Sequence, residues 1–132
     1  MAATIPSSHL DLFEKKAFAS LATVMSDGTP QVTPVWVDWD GTHVLVNSAR
    51  GRLKDRNMRR NAAVALSILD PENPYRYLEI RGRILEITEK DADDHIDRLA
   101  KKYLGVDKYP YRAPGEVRVI YKISPAVFSK RM

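Results

Sequence analysis

The chain has 132 residues, 29% charged and 44% hydrophobic, with a formal net charge of +4 and no cysteine. That composition belongs to one folded domain over 1–132 with a proper core, and excludes both a disordered chain and a two-domain protein. Disulfides, thiolate metal sites and cysteine nucleophiles are excluded together, and the positive balance suits an anionic ligand or nucleic acid.

The first nine residues have no cationic start followed by an apolar run, so they do not read as a secretory signal. No stretch approaches the roughly 18 apolar residues of a membrane span, and the expected compartment is the cytoplasm. Ser8 followed by Asp11 has capping-box spacing, and Leu10, Leu12 and Phe13 give an apolar side, predicting a short helix over 8–16 that plugs one end of the fold. Ala17 to Met25 reads as a buried strand, Ser26 to Pro30 as a turn with an Asp-Gly hairpin signal, and Gln31 to Trp39 as the return strand. In the return strand Gln31, Thr33, Val35 and Val37 share one face, and Val32, Pro34, Trp36 and Asp38 the other. Pro34 removes a ladder donor, which marks an edge, a bulge or a ligand-facing break.

After the Asp40-Gly41 turn comes the stretch around which the chain is organised. A short strand, Val44 to Val46, ends at Asn47-Ser48, and Arg50, Arg52, Lys54, Arg56, Arg59 and Arg60 follow against one acid, Asp55. Hydroxyl and amide groups feeding into a cationic helix start make a good anion site, because free backbone N–H groups and the positive dipole end add to the side-chain charge. A phosphate is the expected anion. On a helical wheel Leu53, Lys54, Asn57 and Met58 share one flank, and Arg52, Arg56, Arg59 and Arg60 the other. Lys54 and Asn57 therefore belong beside the packed face, whereas the alternative is a solvated basic helix lying on the barrel.

Ala62 to Leu69 is nearly all apolar and predicts a central strand; residues 70–74 read as a loop. Arg76 to Ile87 alternates around Gly82 and predicts one strand bending there to serve two sides of a barrel. Thr88 with Asp91 again has capping-box spacing, and Ile96, Leu99, Ala100 and Tyr103 give the apolar face of a helix over 89–104 ending at Gly105. A Pro- and Tyr-containing loop over 106–115 precedes a closing strand, Val117 to Ile123, and a short tail.

His9, His43 and His95 lie in different elements without metal-type spacing, so no metal site is expected, and His95 reads as a helix-surface residue. No Gly-x-Ser-x-Gly, Walker loop or Gly-x-Gly-x-x-Gly is present. A chain this poor in acid, base and nucleophile candidates suits chemistry carried by a cofactor. Redox chemistry on a flavin-like ring fits, since the protein then has to hold phosphate, orient the ring and shape a pocket.

The order of elements, with Leu21-Ala22-Thr23, Asp27-Gly28-Thr29-Pro30-Gln31-Val32-Thr33-Pro34-Val35-Trp36, Lys54 to Asn61 and Ile80-Arg81-Gly82-Arg83, resembles the split β-barrel flavin and deazaflavin oxidoreductases related to pyridoxamine 5′-phosphate oxidase. The resemblance covers roughly residues 8–130. It implies a mainly β (α+β) fold, a six-stranded antiparallel split β-barrel with flanking helices. The short form with Arg52-x-Lys54-x-x-Asn57 resembles the branch that binds coenzyme F420, a deazaflavin, rather than FMN.

By that resemblance Ser48, Arg52 and Lys54 hold the cofactor phosphate, Asn57 supports them, and Thr33, Pro34, Val35 and Trp36 line the ring. Gln31, Asn47 and Arg50 complete the candidate cofactor contacts. The resemblance also implies a homodimer with two interface sites, no dedicated catalytic acid or base, and hydride transfer from reduced deazaflavin to a small conjugated acceptor such as a quinone or enone. The chain lacks the extended C-terminal substrate segment of true pyridoxamine phosphate oxidases. An FMN-binding oxidoreductase and a non-catalytic cofactor carrier are the alternatives. A nucleic-acid-binding barrel lacks the surface aromatics on adjacent strands that stack bases.

Overall fold

The computed structural model describes residues 4–132. Seven strands form one curled antiparallel sheet: β1 (Ala19–Val24), β2 (Pro30–Val35), β3 (Asp38–Trp39), β4 (Val44–Ala49), β5 (Ala63–Asp70), β6 (Asn73–Thr88) and β7 (Arg118–Arg131). Their order is β2-β1-β5-β6-β7-β4-β3. A 3₁₀ helix (Ser7–Phe13), α1 (Leu53–Arg60) and α2 (Ala92–Leu104) accompany them. The architecture is that of a split barrel.

The sheet curls at its two long strands. β6 pairs with β5 along its first part and with β7 from Tyr77 to Thr88. The β6–β7 register shifts between Arg81 and Gly82 and again between Ile84 and Glu86, so the ribbon bends at two bulges. Gly82 is required at the first of them, because a Cβ there would run into the Ser124 backbone carbonyl. The expected bend at Gly82 is present. Inside the curl lies the main apolar core, with Leu12, Leu21, Met58, Leu66, Ile68, Leu78, Ile80, Tyr121 and Ile123 almost wholly buried.

Several expectations need correction. Among the described residues there are seven strands, not six, because Gln31–Trp39 divides into β2 and β3. The cause lies in α2: the Tyr103 hydroxyl accepts the Val37 N–H (3.1 Å), and Lys102 Nζ donates to the Val37 carbonyl (2.7 Å), so helix side chains replace ladder partners there. The Tyr103 hydroxyl also donates to the Ala17 carbonyl (2.6 Å), and burial pushes its phenol up to about 12.

The helix expected over 8–16 is a 3₁₀ segment, and Asp11 is drawn to Arg76 (3.1 Å) instead of capping it. Thr88 and Asp91 form no capping box. Asp91 adopts a left-handed conformation (φ 61°) as N-cap, and the Thr88 hydroxyl accepts the Lys90 N–H locally. Residues 70–74 are no loop, since Asp70 pairs with Asn73 across a two-residue turn. The tail is the second half of β7, paired with β6 as far as Arg131.

Candidate functional site

β4 delivers Asn47 and Ser48 to the turn that starts α1, and a buried carboxylate shapes this turn. Asp55, 1% exposed, accepts the Gly51 N–H (2.9 Å), the Tyr121 hydroxyl and Arg59 Nε (3.0 Å). Gly51 has φ 91°, a conformation other residues adopt only under strain. Burial works against the charge on Asp55, yet the Gly51 N–H, the Tyr121 hydroxyl and Arg59 together outweigh it and hold the carboxyl below the usual range. The acid that looked like one interruption in a basic run is the anchor of the turn.

Beside this turn lies a cavity of about 200 Å³. Phe18, Pro34, Val35, Trp36, Ile96, Tyr109 and Tyr111 make its apolar wall, and Asn47, Ser48, Arg52, Lys54 and Arg118 its polar side. Trp36 stacks on Tyr103 (5.0 Å between centroids, 3° between planes) and meets Tyr109 edge-on at 5.9 Å. The 106–115 loop is fastened to α2. Tyr109 N–H donates to Asp97 (2.9 Å) and Arg112 bonds both Asp93 (2.7 Å) and Asp97 (3.0 Å), which places the two loop tyrosines on the cavity. That Tyr109 N–H, then Arg112, holds the Asp97 carboxyl below its ordinary range.

The polar side is under-satisfied. Ser48 Oγ is buried without a hydrogen-bond partner, and so is Arg118 Nη1. Lys54 is half-buried and has no ion-pair partner among the described residues; burial, then Arg52 and Arg118, pushes its amine down. Glu116 lies between Arg52 (3.1 Å) and Arg118 (3.3 Å) as the acid of this cluster. Three cations and a buried hydroxyl without a partner thus surround one acid, and each donor left dry is costly until it finds an acceptor.

Of the residues expected from sequence, Pro34, Val35, Trp36, Asn47, Ser48, Arg52 and Lys54 are brought together here. Gln31 and Thr33 face the sheet interior: Gln31 Oε1 accepts the Thr23 hydroxyl (2.7 Å), and Thr33 Oγ1 is buried without a partner. Arg50 turns away to Glu89. Asn57 is buried under the helix, donating to Thr23 Oγ1 (3.1 Å) and accepting Arg60 (2.8 Å), so it anchors α1 rather than touching Lys54 or Ser48.

Sequence reasoning missed Phe18, Ile96, Tyr109, Tyr111 and Arg118. For Arg118 a signal exists, a cation at the head of an apolar run that reads as a core strand. The expectation for His95 was wrong. It is 0% exposed, bonded to Asp38 and Asn47, because α2 lays its first turn against β3 and β4. Leu53, expected on the packed flank, is 38% exposed.

The chain is similar to the solved structure of an F420 reductase, with 38% identity, a TM-score of 0.82, and 95% of this chain and 98% of that one covered. It also shares its fold with HupZ of Group A Streptococcus (20% identity, TM-score 0.70, 96% and 94% covered). A conserved hypothetical protein of Mycobacterium tuberculosis is similar in the same way (20%, 0.74, 98% and 86%). No curated protein sequence matches significantly. The model of the pyridoxamine 5′-phosphate oxidase family matches residues 5–129, nearly the whole chain that builds this sheet and cavity, and the protein belongs to that family.

Proposed function

We propose that the protein is an oxidoreductase of the flavin and deazaflavin kind, that its cofactor is coenzyme F420, and that its substrate is a small conjugated acceptor such as a quinone or enone. One observation carries this reading: the cavity joins unpaired phosphate-type donors to a flat aromatic wall. Ser48, Arg52 and Lys54 would hold the cofactor phosphate, and Pro34, Val35 and Trp36 would border the ring. Buried, unpaired donors at Ser48 and half-buried Lys54 fit a phosphate. The bound deazaflavin supplies hydride chemistry, which needs no protein nucleophile.

This chain's own residues bind, orient and exclude water. Stacking on Tyr103 keeps Trp36 upright, and the Asp55-anchored turn keeps Arg52 and Lys54 on one side. The similarity to the F420 reductase favours the deazaflavin. FMN is the second reading, since its phosphate would satisfy the same donors and the family takes its name from a flavin-type oxidase.

We further propose a homodimer. Ala22, Val24, Ala63, Ala65, Gly82 and Ala126 line an open apolar hollow of about 390 Å³ on the sheet, a face that a second copy would cover.

The test is to incubate the protein with each cofactor, desalt it and record its absorbance. A retained deazaflavin band, followed by faster oxidation of reduced F420 by a quinone with protein than without, is expected. A flavin band moves the assignment to FMN, and retention without turnover makes the protein a carrier.

A further inference from the structure

A hydrogen-bonded chain of buried and half-buried polar groups runs under α2 to the cavity, and its outer members, Asp38 and His95, do not line the cavity. Asn47 is its pivot. Its Nδ2 donates to the Ala92 carbonyl (2.9 Å), and its Oδ1 accepts Arg118 Nε (2.9 Å). A carbonyl can only accept and a guanidinium can only donate, so both ends of the Asn47 amide are assigned without ambiguity.

The second hydrogen on Nδ2 then points at His95 Nδ1 (3.1 Å), which must accept. That leaves the proton on Nε2, where it is donated to Asp38 Oδ2 (3.0 Å). Burial opposes the charge on Asp38, but His95 and the Trp39 N–H outweigh it and keep the carboxyl below its ordinary range. Hydrogen-bond donation therefore runs one way, from Arg118 to Asn47 to His95 to Asp38.

Arg118 is the cavity end of the chain. The residue is 4% exposed, lies over the Tyr109 ring at 5.0 Å, and has its Nη1 buried without a hydrogen-bond partner. A guanidinium held by Nε keeps its other nitrogens for something else. Its Nη1 already lies 3.3 Å from the Glu116 carboxylate, an ion pair without hydrogen-bond geometry, and the Nε bond to Asn47 keeps the guanidinium from turning further onto that acid. A polar relay is costly unless every member is satisfied, and this one is satisfied from Asp38 as far as the Nε of Arg118, a residue that lines the cavity.

We propose that Arg118 is an anion-binding residue of the cavity and that Asp38, His95 and Asn47 are positioning residues that aim it. The proposal rests on the reading of the cavity as an anion site, and not on which cofactor supplies the anion.

The experiment uses nitrogen-15 spectra of the ligand-free protein, inorganic phosphate as the probe, and then fluorescence titrations with F420 and FMN. Expected are the Nε2–H tautomer of His95 and a protected Arg118 Nε–H that shifts on adding phosphate. Arg118→Gln should weaken binding about tenfold, the size of one charge-assisted contact. His95→Leu should cost the same, with no further loss in the double variant, as members of one network are non-additive.

His95→Gln, which offers Asn47 an acceptor and Asp38 a donor, should restore near wild-type affinity. Asp38→Leu, at a half-buried position, gives a milder loss where His95→Leu does not fold. An Nδ1–H tautomer, an Arg118 signal that neither phosphate nor cofactor moves, or additive losses would overturn the proposal. If neither cofactor binds while phosphate still shifts Arg118, the functional reading fails and the relay stands.

Discussion

Lys54, proposed above to hold the cofactor phosphate, is kept half-buried on the cavity by the fold. Its amine sits half-buried near two other cations, and burial first, then Arg52 and Arg118, pushes its pKa down. A lysine whose folded pKa lies below its ordinary value costs stability wherever it stays charged in both states, and the cost fades as pH rises toward that ordinary value. Lys54→Met should therefore raise the melting temperature of the ligand-free protein at pH 7 by a few degrees while weakening cofactor binding. Calorimetry beside a cofactor titration checks both halves, and a lower melting temperature would contradict the first. Lys54→Ala should weaken cofactor binding by roughly ten- to a hundred-fold, since a charge-assisted contact is worth about 1.5–3 kcal/mol. Arg56→Ala removes the same charge from an exposed position and should change affinity little. Arg59→Ala should also leave affinity nearly intact but lower stability, because Arg59 pairs with buried Asp55. Equal losses from all three would remove Lys54 from the site.

The β5–β6 hairpin is tied to the 3₁₀ helix by an ion cluster rather than by apolar packing alone. Asp70 accepts the Glu72 N–H and bonds Arg76 (2.8 Å) and Lys15 (3.2 Å), and Arg76 also holds Asp11. The Glu72 N–H first, then Arg76 and Lys15, pull the Asp70 carboxyl down from 3.8 to about 2. Since the folded pKa is the lower one, this stabilisation is complete above about pH 4 and is lost as pH falls through about 2. Melting curves from pH 5 to 2 should show a steeper decline for the wild type than for Asp70→Asn, and parallel curves would exclude the cluster as the cause. Further along the same ribbon, Gly82→Ala forces the chain against the Ser124 carbonyl at the bulge that curls the sheet. A loss of about 1–3 kcal/mol by denaturant titration is expected, the usual range for overpacking.

Across the whole molecule, the apolar hollow over β1, β5 and β6 is separate in its lining from the cationic cavity. If a second copy covers it, Ala65→Arg should convert a dimer into a 15.0 kDa monomer by sedimentation. Cofactor affinity falls with it where the partner completes the site. An unchanged sedimentation coefficient would rule this face out as the dimer contact. No helix among the described residues is long and apolar enough to cross a membrane.

Local chemistry made much of this protein legible from its residues. The Asp-Gly hairpin, the apolar run of β5, the bend at Gly82 and the strand-turn-helix with its cations depend on neighbours within a few positions. Pattern and propensity report such features directly. Even the inward alternation of Gln31, Thr33 and Val35 follows from the pleat. What stayed hidden depends on partners far along the chain. Nothing near Val37 says that Tyr103 and Lys102 will take its backbone groups and split the strand. Nothing in the helix pattern around His95 says that Asn47 and Asp38 wait beneath it, because a histidine looks the same on a wet face and in a satisfied pocket. Arg118 and the loop tyrosines reach the cavity through the β4–β7 register and the pins on Asp97. Burial and long-range hydrogen bonding assign those roles, and both come into being when the sheet closes.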